Sequence, residues 1–147
     1  MIKITTKYFD NLLKSLAQEE KRIISAAVKA NSYCGAQAVK ILKQGLSDRH
    51  GKKPSDPDYE NSPAGALPYG HTMALRDSIG FKQLRSGNSI YAEVGSGANK
   101  TPIEYAKYLE GRNHDGIRPF LWAIDGVFNP QAIIKKFNEY YEKAKEK

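Results

Sequence analysis

From Thr5 to about Gln44 the apolar residues Phe9, Leu13, Leu16, Ile24, Ala27, Cys34, Ala38 and Leu42 recur near the α-helical period, with Glu and Lys between them. The pattern predicts one long amphipathic helix over residues 1–45. At 1.5 Å per residue such a helix is roughly 60 Å long, more than a single small domain needs against its own core, so part of its apolar face is expected to pack on a neighbour. Gly35 leaves one alternative open. Glycine costs about 1 kcal/mol relative to alanine inside a helix, and a bend or break there would give two helices.

Residues 46–73 change character abruptly: Pro54, Pro57, Pro63 and Pro68 remove backbone donors and fix φ, and Gly, Ser, Asp and Asn supply turn chemistry. No regular element fits this stretch. It reads either as a mobile functional loop or as an arm that orders against a partner.

Beyond it the period becomes two. Ile79 and Phe81, then Ile90, Ala92 and Val94, have the spacing that places side chains on one face of a strand, with Arg85, Ser86, Gly87 and Asn88 as the turn of a hairpin over residues 76–95. In PIEYAKYLEG, Pro102 suits a helix N-terminus, Tyr105 and Leu109 share a face, and Gly111 suits the C-terminal cap of a short helix. Phe120, Leu121, Trp122 and Ile124 form the densest apolar patch, read as core. Asn129 before Pro130 starts a C-terminal helix over residues 129–147, with Ile133, Ile134, Phe137, Tyr140 and Tyr141 as its inward stripe. The fold class is therefore α+β: a long N-terminal helix on a small, mainly antiparallel sheet of three or four strands, one of them near residues 113–118, closed by the C-terminal helix. Residues 74–128 form the sheet core, and Ile79, Phe81, Ile90, Val94, Tyr105, Leu109, Phe120 and Trp122 are expected to share it.

A chain of 147 residues reads as a single domain over 1–147. No apolar run approaches the ~20 residues that span a bilayer, and the N-terminal stretch lacks the pattern of an export signal, so no membrane partner is expected. Cys34 is the only cysteine, which excludes an intrachain disulfide and a thiolate zinc cluster. The net charge of +7 favours polyanions in general without defining a site.

Catalysis finds no constellation. His50, His71 and His114 match neither the helical zinc spacing nor a nucleophile elbow, and His114–Asp115 reads as a polar turn. Cys34 lies on the apolar stripe, where an inert thiol is the common case. GSGANK, residues 95–100, lacks the Gly-Lys-Ser/Thr ending of a phosphate loop and reads as a flexible connection. Glu104 and Glu110, six residues apart on a short helix, face different ways. No enzyme activity, cofactor or metal is expected.

Four stretches in order, LRDSI (75–79), AEVGS (92–96), YAKYLEG (105–111) and RPFLWAI (118–124), resemble the tail-component or tail-completion family of long-tailed bacteriophages, also found in prophages. That family shows a Thr-Gly-x-Leu-Arg-x-Ser-Ile start, a Val-Gly strand end, a Tyr-Ala-x-x-x-Glu-x-Gly segment and an Arg-Pro-Phe-Leu-x-x-Ala close. Thr72, Leu75, Arg76, Ser78 and Ile79 match the start; Tyr105, Ala106, Glu110 and Gly111 the middle; Arg118, Pro119, Phe120 and Leu121 the close. Met73 stands where the family's glycine usually does, which argues against a φ > 0 turn there, and Gly111 follows Glu110 directly.

The resemblance implies a virion structural protein of the neck or tail, assembled in the host cytoplasm, that completes the tail and joins it to the head. Its implied partners are copies of itself in a ring, connector or head-completion proteins, tail-tube proteins, and DNA passing through the channel without sequence recognition. It singles out Arg76, Glu110 and Arg118 as candidate assembly residues, which either form buried pairs that orient the sheet or contact a neighbouring subunit. The competing reading is a small basic DNA-binding protein of a mobile element, although no helix-turn-helix spacing or zinc-finger ligand set accompanies the charge.

Overall fold

The computed structural model describes residues 6–47, 73–87, 89–104, 106 and 121–147. Helix α1 (Thr6–Ser47) runs 42 residues without a break. Ala26, Ala30, Cys34, Ala38, Leu42 and Leu46, spaced by four, are all buried on it. Four residues overshoot a 3.6-residue turn by about 40°, so this stripe winds around the helix and meets different neighbours along its length. Cys34 lies beside the C-terminal helix α3 (Pro130–Lys145), whereas Leu42 and Leu46 join Leu75, Ile79, Ala106 and Ile124 in the main core.

Gly35 does not split the helix in two. A Cβ there would stand 2.3 Å from two ring carbons of Phe81, so its missing side chain is the notch that receives the hairpin. Small residues at Ala26, Ala30 and Ala38, with Gly35 among them, let other elements approach the α1 backbone closely.

Helix α2 (Ala74–Ser78) is a single turn, and Ile79 is already extended, so the chain passes directly into β1 (Ile79–Ser86). Met73, just before α2, has φ 58°, contrary to the sequence-based expectation. The Asp77 amide donates to the Met73 carbonyl at 2.9 Å, which closes the turn in spite of a Cβ that disfavours this conformation.

Strands β1 and β2 (Ser89–Ser96) pair antiparallel from Ile79 opposite Ser96 to Ser86 opposite Ser89. Gly87, at φ 57°, supplies the left-handed conformation that a tight hairpin turn demands. Phe81 and Gln83 face α1, the first on Gly35 and the second through a 3.0 Å contact with the Ser32 hydroxyl. Lys82 opposite Glu93 and Leu84 opposite Tyr91 occupy the other face. Among the described residues the sheet has two strands rather than three or four. The strand expected near residues 113–118 lies outside them, as does most of the short helix expected before Gly111.

A 3-10 turn (Leu121–Ile124) buries Ile124 and leaves Trp122 half exposed, at 51%. This corrects the placement of Trp122 in the core: in so short a helix the two residues diverge, and Ile124 takes the inward position. The Val127 and Phe128 amides both donate to the Ile124 carbonyl, at 2.9 and 2.8 Å, folding the chain toward α3. Asn129 caps α3 by accepting from the Ala132 amide at 2.8 Å, with Pro130 in the first turn, as the sequence predicts. Ile133, Phe137, Tyr140 and Tyr141 are partly buried, but Ile134 faces solvent. Of the remaining expected core, Ile79 is fully buried and Phe81, Ile90 and Val94 partly so; Tyr105, Leu109 and Phe120 lie outside the described residues.

Candidate functional site

Arg76 projects from α2, and its Nε and Nη2 both donate to Asp77 Oδ1 at 2.9 Å. The two side chains are 33% and 64% exposed, so this is a surface pair with a sequence neighbour rather than the buried pair envisaged for Arg76. An ion pair of this kind contributes about 0–1 kcal/mol and leaves the guanidinium accessible. Glu110 and Arg118 lie outside the described residues.

Ser78 and Ser96 hold the hairpin base together. Ser78 Oγ donates to the Leu75 carbonyl at 2.7 Å and lies 2.8 Å from Ser96 Oγ. A hydroxyl has one proton, and a carbonyl only accepts, so Ser96 is the donor in the serine pair. Ser96 Oγ in turn accepts from the Ile103 amide at 3.3 Å. The LRDSI and AEVGS stretches thus meet through their serines, and the signal available beforehand was their common end of one hairpin.

GSGANK is a tight turn rather than a loose connection. The Gly97 amide donates to the Ser78 carbonyl at 3.0 Å, and the Ala98 and Lys100 amides donate to Gly95 and Gly97 at 3.4 and 3.5 Å. Amides engaged in this way cannot cradle a phosphate. Gly97, at φ 87°, lies against Pro102, and a Cβ on Gly80 would meet the Ala98 carbonyl oxygen at 1.9 Å. Both glycines are required by close backbone approach.

Between α1 and α3 lies a groove of about 240 Å³ bordered by Tyr33, Cys34, Gln37, Val127, Ala132 and Lys136. Burial pushes the Cys34 thiol above its ordinary value, which keeps it protonated and a poor nucleophile. Lys136 Nζ lies 2.6 Å from Glu139 Oε2 and 4.5 Å from the Tyr33 ring centroid, a clamp across the two helices. Nearer the N-terminus, the Tyr141 hydroxyl donates to Glu19, whose carboxyl is held below its usual range by that bond and then by Arg22. A depressed carboxylate stabilises the fold above its unfolded value of about 4.3 and loses that contribution as pH falls through the lower folded value. In Tyr141→Phe, Glu19 should titrate at higher pH than in the wild type when followed by NMR; an unchanged titration would mean that α3 does not hold Glu19 in solution.

The remaining feature is apolar and exposed. Leu13, Leu16 and Ile23 of α1 are 63%, 57% and 44% accessible, and on the outer face of the hairpin Leu84 and Tyr91 are 42% and 55% accessible. Among the described residues no group of three or more His, Cys, Asp or Glu could hold a metal ion, and no helix is long and apolar enough to cross a membrane. His50, His71 and His114 lie outside the described residues. No family model, curated protein or solved structure matches this chain.

Proposed function

We propose that this chain is a virion structural protein of the neck or tail of a long-tailed bacteriophage or prophage, acting in tail completion and head-to-tail joining. It works by assembling with copies of itself into a ring and docking on connector and tail-tube proteins, without catalysis. The observation that carries this reading is the group of exposed apolar side chains in the N-terminal half of α1, Leu12, Leu13, Leu16 and Ile23. A patch of this kind marks a surface for another molecule. The ordered run of four phage-like stretches supports the class of assembly, and the Ser78–Ser96 bond explains physically why two of them belong together.

Removal of the coding sequence from a phage or inducible prophage tests the proposal. Heads should fill with DNA and tails should form, but infectious titre should be lost and be restored by supply of the protein in trans. Normal titre would exclude the role, and empty heads would move it to an earlier step. The alternative, a small basic DNA-binding protein of a mobile element, is favoured by the +7 charge. It requires tight duplex binding whose affinity falls steeply with salt.

A further inference from the structure

We infer that the exposed face of α1 and the outer face of the hairpin are the two halves of one head-to-tail contact between copies of this chain. The inference rests on the self-assembly reading above and names the surfaces it uses. Leu13, Leu16, Glu20, Ile23, Ala27, Ala30 and Cys34 alternate three and four residues apart, the repeat of a helical packing seam. Ala30 and Cys34, at one end of the seam, are buried by the chain itself, whereas Leu13, Leu16 and Ile23 at the other end are not. The seam therefore continues without a change of phase from a covered stretch into an uncovered one about 15 Å long.

Glu20 stands in the middle of the uncovered stretch, exposed, with no ion pair among the described residues. A carboxylate there dictates what can cover the seam, because burial without a counter-charge is costly. Parallel pairing of two α1 seams would oppose two Glu20 carboxylates. Antiparallel pairing, in the register that overlays the apolar residues, would set each against Leu16.

The hairpin supplies what a second α1 lacks. On its outer face Leu84 stands opposite Tyr91, an exposed apolar pair, and next to it Lys82 stands opposite Glu93. Lys82 and Glu93 are both exposed and make no ion pair among the described residues. With Leu84 and Tyr91 against Leu16 and Ile23, Lys82 meets Glu20 and Glu93 meets the adjacent Lys21. Different patches of one subunit then join, a heterologous contact that closes into a ring where the rotation permits.

Charge exchange tests the pairing, with self-association of the full chain read by sedimentation. Glu20→Lys and Lys82→Glu should each weaken association about tenfold while leaving helix content and melting temperature unchanged, since both side chains are exposed. An equimolar mixture of the two variants should recover wild-type association, because in an alternating assembly every contact regains opposite charges. Variants that associate like the wild type, or a mixture no better than either alone, would overturn these surfaces and leave self-assembly standing. A wild-type chain that stays monomeric to millimolar concentration would overturn self-assembly and this contact together.

Discussion

Ile79→Ala should destabilise the protein by about 2–5 kcal/mol, the cost of emptying a fully enclosed aliphatic site. Ile79 is 0% exposed at the junction of α2 and β1, packed with Leu42, Leu46, Leu75 and Ile124. The site cannot collapse easily, because its backbone is tied on both sides. The Ser78–Ser96 bond holds one side, and the Gly80 backbone against the Ala98 carbonyl holds the other. Trp122→Ala provides the contrast. At 51% exposure its ring has already kept half of its surface in water, so its truncation should cost distinctly less than that of Ile79. Urea melts of the two variants measure the order directly. A larger loss for Trp122 than for Ile79 would mean that the 3-10 turn presents the indole inward and that the core is centred elsewhere.

That order inverts the sequence-based one, and the reason is physical. Aromatic content locates a patch that needs burial but does not say which of its residues turns inward. Leu121, Trp122 and Ile124 lie in a turn too short to show a period, so the choice falls to the tertiary neighbours of Ile124. Long periodic segments were legible instead: α1 over more than forty residues, the alternating hairpin, and α3 from its Asn-Pro start. The candidate site was readable only in part. Exposure of part of the α1 stripe followed from helix length alone, whereas Leu84 and Tyr91 became a patch only once the hairpin register placed them side by side. Arg76 was singled out through resemblance, and its pairing with Asp77, one residue away, is a geometry that sequence spacing does not reveal. Met73 illustrates the opposite error: a residue type that disfavours φ > 0 argues against the turn, yet the turn persists. Local preference of about 1–2 kcal/mol yields there to the packing of the helix that follows.

Gly35→Ala should destabilise the protein by about 1–3 kcal/mol, even though alanine is the better helix former by about 1 kcal/mol. The new methyl group would stand 2.3 Å from Phe81 Cδ2 and Cε2 and 2.8 Å from its Cγ, distances no side chain tolerates. Phe81 cannot simply withdraw, because Val94 opposite it belongs to the packing around the core and Gln83 two residues on is held by Ser32. Relief therefore requires the hairpin to lift from α1. The decisive measurement is a double-mutant cycle. In a Phe81→Ala background the obstruction is gone, and Gly35→Ala should stabilise by about 1 kcal/mol through helix propensity alone. The sign of the substitution thus depends on a residue forty-six positions away. If alanine at position 35 stabilises both backgrounds equally, the glycine is not a notch for Phe81 and the hairpin does not seat on α1 at that point. If it destabilises both equally, the cost lies in the helix itself, and the bend that the sequence allowed at Gly35 becomes the better account of the residue.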